Sequence, residues 1–184
     1  MYRYSSIAIS GNPVAGKSSL ADRLSSAYGW ERLSIGGLQR QRWRKQHPLE
    51  DVSFEDWWRS TTIEDNREIN ALAKSTIENG GIVADSRFCN YLDSSRCLLV
   101  FLTADLGIRV LRAKSRGEYS GMDDRKLGLL LAQREQDELR MGRLLYGDGF
   151  DYRDPRIFHA VINTGLLTVE QEFLAIDSLI RDKQ

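Results

Sequence analysis

The chain has 184 residues, 41% hydrophobic and 28% charged, with 26 Lys plus Arg balanced by 26 Asp plus Glu. That mix predicts one globular domain with a core of ordinary size, and zero net charge offers no bulk attraction to nucleic acid or an anionic membrane. No stretch approaches the ~20 apolar residues of a membrane span and the N-terminus lacks a signal-peptide pattern. Cys89 and Cys97 are too few for a disulfide framework or zinc site, so a cytoplasmic protein with reduced thiols is expected.

Ile7-Ala8-Ile9, followed at once by Gly11, reads as a buried strand feeding a loop. Leu20, Leu24 and Ala27 have helical spacing, which predicts a helix from Gly16 to Tyr28. Glu31 to Ile35 is a candidate second strand. The polar stretch that follows reads as helical, with Pro48 as punctuation and Gly80-Gly81 as its end. Within it, Ser53-Phe-Glu-Asp and Thr62-Ile-Glu-Asp stand before apolar-periodic runs as helix caps do. Ile82-Val83-Ala84, ending at Asp85, and Cys97 to Leu102 read as further buried strands, and Ile108, Leu111 and Ala113 mark a helix. Ser115 to Asp124 is a glycine-bearing loop and Leu127 to Leu145 a long amphipathic helix. His159 to Ile162 is a last strand and Glu170 to Ile180 a closing helix. Apolar strands alternating with helices predict a parallel sheet covered on both faces. The helical stretch before Ile82 exceeds what one crossover needs, so it is expected to include a small insertion folded over the sheet edge.

Gly11-Asn12-Pro13-Val14-Ala15-Gly16-Lys17-Ser18 matches G-x-x-x-x-G-K-[ST] at every fixed position, between a strand and a helix. Glycines let successive N–H groups turn inward toward phosphate oxygens, and the helix that follows adds its positive end. Lys17 supplies a cation for the β- and γ-phosphates, and the Ser18 hydroxyl suits the shell of Mg²⁺. Asp85, at a strand end of the same sheet edge, is the natural second acidic group for that metal; capping a turn is the plainer alternative. No N-K-x-D motif marks a GTPase. Arg109, Arg112 and Arg116 fall on one predicted helix and its loop, and Arg134, Arg140 and Arg143 on the next. They read either as a solvated face of ion pairs, with Arg134, Asp137 and Arg140 sharing that face, or as movable cations for phosphoryl transfer.

These segments resemble the cytidylate kinases, within the small nucleoside-monophosphate kinases. IAISGNPVAGKSSLADRLSSAYGWERLSIG is similar to the family's first strand, phosphate loop, first helix and Ser-Gly approach to the monophosphate. GGIVADSR is similar to its acidic strand end, RVLRAKSRG to the start of its lid, REQDELRMGRLLYG to its Arg-x-x-(Asp/Ser)-x-x-Arg helix and VINTGLLTVEQ to its last strand. SFEDWWRSTTIEDNREINALAK most resembles the insertion of the short, archaeal-type members.

The resemblance implies a three-layer α/β/α P-loop NTPase fold around a mainly parallel five-stranded sheet. Its core would be 1–35, 80–112 and 125–184, with a monophosphate-binding insertion at 36–79 and a lid at 113–124. It implies ATP as phosphoryl donor with Mg²⁺, held by Gly11 to Ser18 and Ser19, with Ser18 and Asp85 at the metal. It places Ser34, Gly36, Arg40, Arg87, Arg134, Asp137 and Arg140 at the acceptor, and Lys17, Arg87, Arg112, Arg116, Arg134 and Arg140 in the transfer. The implied activity is phosphorylation of CMP or dCMP by a monomer or weak dimer whose partners are small nucleotides. Three departures bear on the base: Phe88 stands where long bacterial members have a cytosine-reading Asp, Asn163 where the family often has Asp, and Asn66 where short members tend to be acidic. A kinase of another small metabolite or monophosphate, or an ATP-sensing module, remains a rival at this stage. Trp43, Trp57 and Trp58 are read as packing, with stacking on the acceptor base as the alternative, and His47 and His159 as structural or surface residues.

Overall fold

The structure is a computed structural model and describes residues 2–49, 51–115, 117, 119 and 121–181. Five strands form one sheet: β1 (Ser6–Gly11), β2 (Glu31–Ser34), β3 (Ile82–Asp85), β4 (Cys97–Thr103) and β5 (Ala160–Asn163). All pairings are parallel, in the order β2-β3-β1-β4-β5. Strands buried on both faces alternate their side chains between two cores. Ile7, Ile9, Val83, Leu98, Val100 and Leu102 face one side. There they pack with Leu20 and Leu24 of α1 (Lys17–Tyr28) and with Phe173, Ile176 and Ile180 of α7 (Val169–Ile180). Ala8, Ala84 and Leu99 face the other side and meet Ala73 and Ile77 of α4 (Ile63–Glu78).

Between β2 and β3 run α2 (Ile35–Gln46), α3 (Phe54–Ser60) and α4. Both expected caps are present. Ser53 accepts from the Asp56 N–H, and Thr62 and Asp65 exchange the two bonds of a capping box. Since α4 lies on the sheet face, it is the crossover helix itself, and α2 and α3 are the added pieces. Trp43, Phe54, Trp57 and Trp58 of those pieces join Phe88, Phe101, Leu139 and Tyr152 in an aromatic cluster. That cluster fastens them to β4 and to α6 (Asp124–Tyr146).

Two expected core positions are corrected. Ala27 and Leu111 face solvent, while Ala21 of α1 and Val110 of α5 (Leu106–Ser115) take the buried places. The α1 stripe that packs on the sheet stops at Leu24, and the buried face of α5 also carries the charged Arg109, which a hydrophobicity pattern passes over. Both cysteines are buried free thiols, and burial pushes each up, Cys97 to about 12. His159 lies just before β5, one residue outside the expected strand, its ring Nδ1 accepting from the Leu99 N–H at 2.9 Å. His47 sits at the surface against Asp51. No helix among the described residues is long and apolar enough to cross a membrane.

Candidate active site

At the C-terminal ends of β1 and β3 the sheet opens into a cleft of about 340 Å³, within the range of small-molecule sites. One wall is the loop from Pro13 to Ser18. Gly11 has φ 149°, and a Cβ there would stand 2.2 Å from the Leu102 carbonyl oxygen of β4, so only glycine fits. Gly16 has φ 100° and caps α1. Val14 also lies in the left-handed region, at φ 63°, where a β-branched residue is strained by roughly 1–2 kcal/mol. Lys17 Nζ donates to the carbonyls of Gly11 at 2.7 Å and Asn12 at 2.9 Å. Burial lowers its pKa to about 8, against the pull of the Glu138 carboxylate and with the push of Arg134 and Arg87. Gly11 and Asn12 support the loop from beneath, and Ser19 is exposed outside the cleft wall.

Asp85 ends β3 at the base of this wall. Its Oδ2 accepts from Ser18 Oγ at 3.1 Å and from Arg32 Nη2 at 2.6 Å, and its Oδ1 from Ser34 Oγ at 2.8 Å. Ser34 also caps α2 by accepting from the Gly37 N–H at 3.2 Å. A hydroxyl and a carboxylate in contact beside a phosphate loop are the hard oxygen donors a Mg²⁺ ion takes when phosphates and waters complete its shell, so the residues fit that ion. Among the described residues no cluster of three His, Cys, Asp or Glu forms a cage by itself.

The opposite wall is cationic and assembled from distant segments. Arg87, just past β3, pairs through Nε with Glu138 at 2.9 Å, and its guanidinium lies 4.3 Å over the Trp58 ring. Arg134 reaches the same Glu138 oxygen at 3.3 Å. Burial opposes the charge of Glu138, but the attraction of Arg87, Arg134 and Lys17 wins and holds the carboxyl below its usual range. Burial likewise lowers Arg87. Arg40 lines the cleft from α2, 4.4 Å over Phe54, and Gly36 lines it at the start of that helix. The far end is neutral: Gln39, Asn66, Asn70 and Phe88.

Several expected site residues lie elsewhere. Arg140 is exposed and outside the cleft, because six positions past Arg134 the helix has turned to about 120° from the cleft face. Asp137 does not face the cleft; it accepts from Arg59 Nε at 2.7 Å and ties α3 to α6. Arg134, Asp137 and Arg140 therefore do not share one functional face; the inward partner of Arg134 is Glu138, one turn on. Arg112 also lies outside the cleft, donating to Thr164 Oγ1 at 2.8 Å and to the Thr164 carbonyl at 2.7 Å, while Thr164 Oγ1 donates to the Ala15 carbonyl. Arg109 is buried against Glu135. Arg116 falls outside the described residues. The three tryptophans are buried in the aromatic cluster rather than in the cleft wall, as packing requires.

Glu138, Arg32 and Gln39 were not singled out from sequence. Glu138 was legible as the i+4 partner of Arg134. Arg32 was legible as the strand neighbour two before Ser34, on the same side of β2. Gln39 carried no signal.

No profile of a known protein family matches the chain. Curated relatives do. A cytidylate kinase of Desulfurococcus amylolyticus is 33% identical over 95% of this chain and 91% of its own length. The chain belongs to the cytidylate kinase family. A second member, from Aeropyrum pernix, is 29% identical over 91% of this chain and 94% of its own length. Among solved structures, a shikimate kinase of Bacteroides thetaiotaomicron aligns over 95% of this chain and 97% of its own, with TM-score 0.59 and 14% identity, a likeness of fold. The protein is accordingly a phosphotransferase on the P-loop kinase fold, with the three-layer α/β/α arrangement expected from its sequence.

Proposed function

We propose that the chain transfers the γ-phosphoryl group of ATP to the 5′-phosphate of a pyrimidine nucleoside monophosphate, CMP or dCMP. The observation that carries this reading is the charge layout of the cleft. Lys17 faces Arg87 and Arg134 across one space, and these three cations share a single buried carboxylate, Glu138. A loop that holds one phosphate chain thus looks onto a second anion site, while the far end is neutral and suits a base.

In this reading the backbone from Asn12 to Ser18 cradles the donor phosphates, and Lys17 leaves its carbonyl partners for the β,γ-oxygens. Arg87, Arg134 and Arg40 hold the acceptor phosphate in line. That acceptor is already an anion at neutral pH, so positioning and neutralised charge carry the catalysis without a strong base. Ser18 and Asp85 would hold Mg²⁺, which when bound would neutralise part of the charge of the donor phosphates. Arg32 balances Asp85 in the meantime. Arg112 keeps a place on the nucleotide side through Thr164, and Arg116 is assigned to a lid at 113–124 that closes with the added helices α2 and α3 to exclude water.

A coupled assay of ADP release with ATP, Mg²⁺ and each of CMP, dCMP, UMP, AMP and GMP tests the proposal. CMP or dCMP is expected to give the highest kcat/KM. Turnover no higher than the rate with water for every monophosphate, or turnover on a small hydroxy acid in their place, overturns it.

A further inference from the structure

Asn66 and Asn70 stand one turn apart on α4 and line the neutral end of the cleft, as does Gln39 of α2. Asn66 is buried, and both hydrogen-bond donors of its amide are committed. Nδ2 donates to the Thr62 carbonyl at 2.9 Å and to Thr61 Oγ1 at 3.0 Å. A carbonyl oxygen only accepts, so the Thr62 contact fixes which end of the amide is nitrogen. The other end, Oδ1, has no hydrogen-bond partner among the described residues and belongs to a side chain in the cleft wall. Asn66 therefore offers an acceptor that cannot be exchanged for a donor without breaking the cap region of α4.

The rest of this end supplies what an acceptor alone lacks. Gln39 is 5% exposed, lines the cleft, and has no side-chain hydrogen bond among the described residues, so its amide is free to donate. Asn70 is steadied by Tyr146, its Nδ2 donating to the hydroxyl at 2.8 Å. The two carboxylates in the cleft wall, Asp85 and Glu138, are both occupied by arginines. Phe88 is packed into the aromatic cluster and brings no polar atom.

We propose that Asn66 is the residue that reads the acceptor base, its Oδ1 accepting from an exocyclic amino group, so that cytosine is selected over uracil. The inference rests on the monophosphate-kinase reading above. Cytosine presents an N–H donor at its C4 edge, which meets the acceptor. Uracil presents a carbonyl oxygen there, which sets acceptor against acceptor in a buried place. The neutral amide thus supplies an acceptor without adding an anion beside the acceptor phosphate.

The test deletes the contact from each side. Initial rates at saturating ATP are measured for the wild type and Asn66→Ala with CMP and with pyrimidin-2-one riboside 5′-monophosphate, which is CMP without its amino group. The wild type is expected to lose about 10- to 100-fold in kcat/KM when the amino group is removed. Asn66→Ala is expected to lose less than about threefold, because the partner is already gone. Asn66→Asp, which retains an acceptor oxygen, is expected to keep a preference for CMP over UMP. ATP affinity by calorimetry controls for folding, and the wild-type comparison of the two monophosphates stands without any variant. Equal use of both by the wild type, or an Asn66→Ala variant with the full preference for CMP, overturns the assignment and leaves the kinase reading intact. A wild type that phosphorylates no monophosphate removes both.

Discussion

The loop wall and the arginine wall of the cleft reach the same end, a place for phosphate, by opposite routes. The loop wall is one continuous segment whose backbone and single lysine do the binding, set by glycines against the edge of β4. The arginine wall draws Arg40 from α2, Arg87 from the end of β3 and Arg134 from α6, and its two central cations meet on one carboxylate. A contiguous wall fails residue by residue. An assembled one fails together when its shared anchor is lost, because Arg87 and Arg134 lean on the same counter-charge.

The largest effects should come from removing a cation on either wall. Lys17→Ala and Arg87→Ala are each expected to cut kcat by about 10²- to 10³-fold in the coupled assay. The comparison is sharpened if Lys17→Ala leaves CMP affinity nearly unchanged while Arg87→Ala weakens it. Next is Glu138→Gln, expected to cost about 3 kcal/mol of stability, because the largely buried Arg87 then loses its anion and the half-buried Arg134 loses the same partner. Denaturation with and without CMP checks this, since an acceptor phosphate should restore more stability to the variant than to the wild type. A variant as stable as the wild type would break the picture of a shared anchor.

Acidity gives a third contrast. Burial lowers Lys17 to about 8, so without phosphates beside it the proton is held below that pH and lost above it. Donor phosphates favour the charged form, so ATP affinity should be full below that pH. It should then fall by as much as about tenfold per unit as pH rises through it toward the ordinary lysine range, read by calorimetry. Smaller still is Val14→Gly. Relief of the left-handed backbone strain at Val14 and the added freedom of glycine nearly cancel, so stability should change by no more than about 1 kcal/mol in urea. Arg140→Ala, at an exposed position, should stay within about twofold in every rate constant.

The loop wall was legible in the sequence because its chemistry is local. Eight adjacent residues, a strand before and a helix after are enough to place Gly11 to Ser18, and parallel pairing then sets Asp85 beside them. The arginine wall was only half legible. Arg134 stands out among the helix arginines, while Arg40 and Arg87 came with the family resemblance. The sequence spacing on α6, however, favoured Asp137 and Arg140 over Glu138, since a helical wheel shows which residues share a face and not which face looks into the cleft. Arg59 of α3 is the partner that holds Asp137 on another face. The neutral end was the least legible: Gln39 and Asn70 are polar residues in polar helices, and only folding α2 against α4 brings them to one wall.

The fit of Gly11 against Leu102 has a practical corollary for mutational surveys. Gly11 is still paired within the sheet, Gly11 to Leu102, when the loop begins, and any side chain there meets the β4 backbone rather than a movable group. A library screened for abundance will therefore score Gly11 with the core strands, as a position whose substitutions yield little protein. Lys17 will score as tolerant for abundance and intolerant for turnover. The same motif thus divides into a hinge pin of the scaffold and a moving part, and only the latter serves as an inactive control.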